Sequence, residues 1–401
     1  MDKKVSFHSI EDAIACARKR LPRLIFDFVD GGADREVAVR RNAEALQRIE
    51  LQPRVLGDVA ERSLSTTILG KHFAVPFGIA PMGMCNVVDP EADRFIAEAS
   101  ATVDMPIGLS TAASTSIEDM AALGGERAWF QLYVTGAVEQ AFSLVERARQ
   151  AGCETLILTG DVPEVSRRVR DLRNGFQMPF RIGPSQAIDF ALHPAWTFRM
   201  WRAGAPSPAN FVTGKDKNSF DRGASRAGAN WGFLERLREL WPKRLVLKGV
   251  MSADDAIRAQ HLGVDAVWVS NHGGRQLDSA PAPITVLPKI RAAVGSGFPL
   301  IYDGGIRHGD DVVRARALGA DFVMLGRPIL FAIGADRGEG LQRYLDILKQ
   351  EISLVLAQIG RRSLDEVGPD VLVDPPEILS DRFAHDGADV TERLEENRRQ
   401  A

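Results

Sequence analysis

Short apolar runs rich in Val, Ile, Leu and Phe recur along the chain, most of them ending on polar residues or glycine. They read FAVPFGIA (73–80), MPIGLS (105–110), AWFQLYV (128–134), TLILTG (155–160), RLVLKG (244–249), DAVWVS (265–270), PLIYDG (299–304) and DFVMLG (321–326). Runs of that length and composition predict buried strands. Between most of them lie segments of helical period that open on start signals: Asp89-Pro90-Glu91, Ser116 with Asp119, Ser252 with Asp254 and Asp255, and Gly309-Asp310-Asp311. With one exception, strand ends recur every roughly 20 to 30 residues, the period of a right-handed βα unit. The pattern predicts an α/β fold, a closed (βα)8 TIM barrel. A doubly wound open sheet is the competing architecture, but it needs fewer strands, and no GxGxxG follows the first run.

Other segments depart from the period. Ser9 with Asp12 caps an N-terminal helical segment that Pro22 follows. After the fourth strand, about 87 residues separate Asp161 from Lys248, which places an insertion at about 167–231. It carries Phe190, Trp196, Phe198, Trp201 and Phe211 beside Arg199 and Arg202, with Asp189 the one acidic residue between Arg181 and Arg202. This predicts an amphipathic, aromatic-and-arginine surface over about 181–211. It reads either as a lid or subunit contact or as a peripheral membrane contact, where Trp and Phe sit with cationic neighbours. Beyond the eighth strand, Leu341 to Ile359 reads as a long amphipathic helix closed by Gly360. Residues 1–380 are thus expected to form a single domain, and 381–401 a polar C-terminal tail.

Composition narrows the function classes. Lys+Arg 50 against Asp+Glu 53 gives a formal net charge of -3, so no global basic excess points to nucleic acid. Cys16, Cys85 and Cys153 are far apart, with no CxxC pair and no zinc-ligand spacing, so no metal is expected. The opening MDKKVSFHSIEDA lacks an apolar signal-peptide core, and the longest uncharged stretch, Phe73 to Val88, is broken by Pro76, Gly78, Pro81 and Gly83. A cytoplasmic protein without a spanning helix is expected.

In a βα barrel, chemistry is built on the C-terminal rim, so strand-end residues belong together. Here they are Ser110, Gln131 with Tyr133, Thr159 with Asp161, Lys248, Ser270-Asn271-His272, Arg275 and Asp303. Asp303-Gly304-Gly305-Ile306-Arg307 and Gly326-Arg327-Pro328 follow strands seven and eight, where glycine admits backbone N–H groups to a phosphate and arginine forks onto its oxygens. Lys248 ends an apolar strand and needs an anionic partner. Two roles fit it: a Schiff-base nucleophile, as in barrel aldolases, or a fixed charge beside a cofactor that becomes anionic on reduction. His272, beside Arg275, reads as a proton carrier next to an anion clamp, with Asp161 orienting the imidazole.

Over about residues 10 to 370 the chain resembles the FMN-dependent L-2-hydroxy acid dehydrogenase/oxidase family, which includes glycolate oxidase, L-lactate dehydrogenase and (S)-mandelate dehydrogenase. LPRLIFDFVDGGAD, TTILG, FQLYV, VLKGV, VSNHGGRQLD, DGGIRHGDDVVRARALGA and LGRP occur in the family's order, and the mandelate/lactate dehydrogenase branch is the most similar. The resemblance implies FMN as cofactor, its phosphate on Gly304, Gly305, Arg307, Gly326 and Arg327, beside Asp303. Ser270 and Lys248 would lie along the ribityl chain, and Ala80, Pro81, Met82, Ser110, Gln131 and Thr159 around the ring. Lys248 would then face the part of the ring where negative charge accumulates, and not act as an aldolase nucleophile. Arg168 and Arg275 would hold the substrate carboxylate, Tyr133 and His272 its hydroxyl, with His272, Asp161, Tyr133 and Lys248 as the catalytic set. Two positions depart from the family: Phe28 stands where it has a carboxylate-binding tyrosine, and Ala112 where glycolate oxidase has a bulky tryptophan. A mandelate-like or other large 2-hydroxy acid is therefore expected as substrate, with lactate also in view. Gly83 and the aromatic insertion favour a quinone or similar electron acceptor, with O2 and peroxide release as the alternative. Family members are commonly homotetramers.

Overall fold

The computed structural model describes residues 7–176, 180, 182–211 and 225–379. Eight parallel strands, Phe77–Met82, Ile107–Ser110, Ala128–Leu132, Thr155–Thr159, Arg244–Val250, Ala266–Val269, Leu300–Tyr302 and Phe322–Leu325, pair in chain order. The eighth closes onto the first through Val323–Phe77, Met324–Gly78 and Leu325–Ile79. The TIM barrel expected from the periodicity is therefore the fold. Successive strand side chains point to opposite faces, so each strand serves two cores. Trp129, Ile157, Val246, Trp268, Ile301 and Phe322 fill the barrel interior. Their neighbours Phe130, Leu156, Leu158, Leu245 and Leu247 pack outward against the helices. Each such side chain contributes about 1.5–3 kcal/mol by leaving water.

The helix start signals act as read. Ser9, Ser116 and Ser252 hydroxyls accept from the backbone N–H of Asp12, Asp119 and Asp255 at 3.2, 3.0 and 3.1 Å, each cap worth about 1 kcal/mol. Two elements differ from expectation. FAVPFGIA is split: Phe73 ends a hairpin in which Thr66–Ile68 pairs antiparallel with Lys71–Phe73, and the barrel strand begins at Phe77, just past Pro76, which has no N–H to donate to a ladder. Ile68 and Phe73 join the interior cluster, where the Phe73 ring sits 6.2 Å from that of Phe322, so the hairpin forms a floor under the barrel. The C-terminal helix is longer than expected, Arg327–Gln358, with non-helical dihedrals at Asp336 and Arg337. At this break Arg337 reaches Asp89 (3.1 Å) and also pairs with Glu91.

The insertion folds into the helices Val169–Asn174, Pro184–Leu192 and Pro194–Ala203 and a short turn, Ala209–Phe211. Its aromatic residues do not form one surface. Phe190 and Trp196 are buried, the indole N–H of Trp196 donates to Val87 O (3.0 Å), and Arg199 pairs with buried Asp89 (3.1 Å). Phe198 and Trp201 instead face outward, 59% and 77% exposed, with Ile188 and Leu192 also exposed. Periodicity alone could not divide these residues, because both faces of the segment are apolar. Arg181 and the expected polar tail, 381–401, lie outside the described residues. No described helix is long and apolar enough to cross a membrane.

Candidate active site

The strand ends converge on one cavity at the C-terminal mouth. Lys248, only 4% exposed, donates to Ser270 Oγ (2.8 Å) and pairs with Asp303 Oδ2 (3.0 Å), while Ser270 donates to Asp303 Oδ1 (2.5 Å). Its ammonium also lies 5.0 Å from the ring centroid of Trp268. A charge so paired is a fixed electrostatic element rather than a free amine nucleophile. Ser270 is fully buried behind Lys248 and does not line the cavity, so it positions the lysine. Gln131 and Thr159 do line it, and both side-chain polar atoms of Gln131 and the Thr159 hydroxyl are buried without a protein partner. Orphaned buried polar atoms on a cavity wall call for a polar ligand.

Across the mouth, Gly304 and Gly305 have φ of 118° and 90°, and a Cβ on Gly305 would sit 2.6 Å from Asn42 O. Only glycine fits this bend. Arg327 Nη1 and Nη2 donate to Gly273 O and Gly31 O, both at 2.8 Å. Burial, then the like charge of Arg307, pull the Arg327 guanidinium down to about 10, and burial lowers that of Arg307 too. Two half-buried cations that line the cavity with the Gly304–Gly305 turn suit an anion.

His272 occupies a left-handed turn, φ 57°, followed by Gly273 and Gly274, also at positive φ. The turn aims its ring back toward the fourth and third strands. His272 Nδ1 lies 3.0 and 3.2 Å from the two Asp161 oxygens, and Nε2 lies 3.3 Å from the Tyr133 hydroxyl. Asp161 approaches because Gly249, φ 99°, has no side chain; a Cβ there would lie 2.5 Å from the Asp161 Cβ. Burial opposes ionisation of Asp161, but the charge and hydrogen bond of His272, with the charge of Lys248, outweigh it and hold the carboxyl below its ordinary value. Burial and then the Asp161 charge push Tyr133 up to about 12, partly countered by Arg226, Arg168 and Arg275. Tyr133 thus stays a neutral hydroxyl, and the imidazole has a fixed orientation, carboxylate on one nitrogen and cavity on the other.

Arg168, Arg275, Phe28 and Ala112 line the same cavity, as do Ala80, Pro81, Met82, Ser110 and Gly326. Arg275 Nη1 donates to Phe28 O (3.0 Å) and Gly31 O (2.7 Å), and Phe28 stacks on Phe176 with centroids 4.3 Å apart. Asp161, like Ser270, stands behind the lining. Sequence reading missed Met84, Phe176, Pro208 and Arg226 as lining residues. Met84 falls just past the first barrel strand but is apolar, so a pattern of polar rim residues passes over it, and Phe176, Pro208 and Arg226 lie off the barrel strands altogether. No described group of three or more His, Cys, Asp or Glu could hold a metal ion.

A model of the FMN-dependent dehydrogenase family matches residues 17–374. The chain belongs to that family. It is 40% identical over 369 residues to (S)-mandelate dehydrogenase of Pseudomonas putida, covering 91% of this chain and 93% of that one. It is 36% identical to L-lactate dehydrogenase of Xanthobacter autotrophicus (91% and 96% covered) and to 4-hydroxymandelate oxidase of Amycolatopsis orientalis (90% and 96%). A solved structure of the monotopic membrane protein (S)-mandelate dehydrogenase superposes with a TM-score of 0.87 at 38% identity, over 93% of this chain and all of that one. FMN is therefore the cofactor, and the cavity suits it. Arg307, Arg327 and the Gly304–Gly305 backbone would hold its phosphate, Gln131 and Thr159, unpartnered among the described residues, would meet its polar ring edge, and Lys248 would face the negative charge of the reduced ring.

Proposed function

We propose that this FMN-dependent enzyme oxidises an L-2-hydroxy acid with a large or aryl side chain, mandelate-like, to the 2-oxo acid and passes the electrons to a quinone-type acceptor. The observation that carries the reading is the imidazole of His272, held by Asp161 on Nδ1 and turned toward Tyr133 and the cavity on Nε2. Bound FMN supplies a two-electron acceptor. The chain's own residues do the rest. His272 Nε2 takes a proton from the substrate, and Asp161 stabilises the imidazolium that results. Tyr133, kept protonated, donates toward the substrate oxygen, while Arg168 and Arg275 hold the carboxylate. Lys248 neutralises charge next to the ring. Ala112 and Gly83 leave space for a bulky side chain: a Cβ on Gly83 would already stand 3.1 Å from that of Ala112.

Anaerobic titration of the holoenzyme with L- and D-2-hydroxy acids tests this by flavin absorbance. Bleaching by (S)-mandelate-like acids well ahead of glycolate, with the D-acids inert, is expected; the reverse order sinks the aryl reading. For the acceptor, dye or quinone reduction should outpace peroxide release, and rapid stoichiometric peroxide would establish an oxidase instead.

The outward face of the helices Pro184–Leu192 and Pro194–Ala203 supports a second reading, of place rather than chemistry. Exposed Ile188, Leu192, Phe198 and Trp201 form an apolar ridge beside exposed Arg202, a composition suited to the headgroup boundary of a membrane, where quinones are found. Flotation with anionic vesicles should be lost in Phe198→Ser/Trp201→Ser, with turnover of a soluble dye acceptor retained.

A further inference from the structure

His272 stands on a turn that its own residues do not favour. It is followed by Gly273 and Gly274, and the three take φ of 57°, 63° and 74°. A histidine held at positive φ persists only where its surroundings fix it. Part of that support is local: Ser270 Oγ accepts from the His272 N–H (3.0 Å), and the Asn271 side chain caps the turn by accepting from the Gly274 N–H (3.1 Å). The rest comes from a side chain 229 residues away from Asn271.

The helix Val37–Gln47 carries Asn42, which is only 2% exposed and does not line the cavity. Its Nδ2 donates to Asn271 Oδ1 and its Oδ1 accepts from Asn271 Nδ2, both at 2.8 Å, and Asn271 Nδ2 also donates to Pro281 O (3.1 Å). Two amides paired face to face fix each other's direction, since a rotated Asn271 would leave polar atoms buried without partners. The helix is seated by the same stretch of chain that it supports. A Cβ on Gly274 would lie 2.7 Å from Val39 N, and Gly274 O accepts from the Ala33 N–H (3.0 Å). Asp278 accepts from the N–H groups of Arg35 (3.2 Å) and Ala38 (3.0 Å) at the helix start. Turn and helix therefore hold one another, and the amide pair sits where they meet, one residue before the imidazole.

We propose that Asn42 is a positioning residue for proton transfer: through Asn271 it holds the His272 turn, and so keeps the ring between Asp161 and the cavity. This rests on His272 as the base, the reading given above, and adds a residue outside the barrel on which that base depends.

The test follows flavin bleaching of the holoenzyme by (S)-mandelate in anaerobic stopped flow, read as a rate constant at saturating acid and as an amplitude per bound FMN. In Asn42→Leu, which keeps the size and removes the pair, the rate constant should fall about 10- to 100-fold, the loss that a displacement of about 1 Å brings. The amplitude per FMN, and the affinity for the unreactive acid phenylacetate read from flavin absorbance, should stay within about twofold. A merely structural role gives the opposite pattern, fewer FMN-loaded molecules reacting at the parent rate, and overturns the proposal. Asn42→Asp keeps the shape but turns an oxygen toward Asn271 Oδ1, so it should slow bleaching too, and it serves if the Leu variant folds poorly; a parent rate in either holoenzyme counts against the proposal. In a His272→Gln background Asn42→Leu should cost nothing more, because the side chain it aims is gone; a further loss of the same size shows that Asn42 acts elsewhere. His272→Gln reacting at the parent rate removes the base and this proposal with it, whereas a slow His272→Gln beside Asn42 variants at the parent rate removes this proposal alone.

Discussion

The cavity has two unlike halves. The half expected to take the cofactor, from Gln131 and Thr159 through Lys248 to the glycines after strands seven and eight, is made of strand ends and backbone, with Lys248 locked by an ion pair and Arg327 by carbonyl contacts. The substrate half draws Phe28 from an N-terminal helix and Phe176, Pro208 and Arg226 from the insertion around it. One half is fixed by the barrel's period; the other is free to vary without disturbing it. On the function proposed above, the scaffold would keep one redox chemistry while the chain's peripheral segments would choose the acid.

Substitutions can break that division or sharpen it. The largest effect is expected at the seam: His272→Gln should lower kcat by about 10⁴ with FMN still bound, since it removes the base and leaves the cofactor wall intact. Loss of flavin from this variant would mean the halves are not separable. Next, Gly305→Ala should weaken FMN retention about 100-fold, because a Cβ 2.6 Å from Asn42 O at φ 90° forces the phosphate turn apart; flavin content after gel filtration reads it out. On the substrate side, Ala112→Trp should cut kcat/KM for mandelate-like acids by about 10- to 100-fold while sparing glycolate. Phe28→Tyr should lower KM for a simple 2-hydroxy acid about tenfold by adding a hydroxyl donor to the carboxylate; an unchanged or higher KM would show that the pocket is already compensated.

The smallest effect lies behind the phosphate corner. His308 follows Arg307; its Nε2 is 2.9 Å from Glu11 Oε1, and its Nδ1 is 3.6 Å from Glu351 Oε1. The approach of the Glu351 carboxylate, then the charge of Glu11, raise the imidazole from 6.5 to about 9 against the opposing effect of burial. A raised folded value means the stabilisation is complete below about 6.5 and is lost as pH climbs through about 9. The side chain is 37% exposed, so solvent screening leaves about 1 kcal/mol. His308→Gln should therefore reduce the urea midpoint at pH 6 and converge with the parent at pH 10.

Legibility in the sequence follows the same division. Period, capping serines and strand-end polar residues locate every barrel strand and bring His272, Asp161, Tyr133 and Lys248 to one mouth, because each depends on local pattern. Asp161 was legible as the support of His272, whereas Ser270 was read as lining the cavity, and its place behind Lys248 needs three-dimensional order. Phe176, Pro208 and Arg226 reach the cavity from irregular backbone, where neither period nor turn chemistry carries information. The floor hairpin was hidden because Phe73 and Phe77 belong to one unbroken apolar run, and only Pro76 hints at the join.

That hairpin separates stability from chemistry. Ile68 and Phe73 extend the packed interior at the end of the cylinder away from the rim, so truncating Phe73 is expected to loosen the barrel while leaving the groups at the mouth in place.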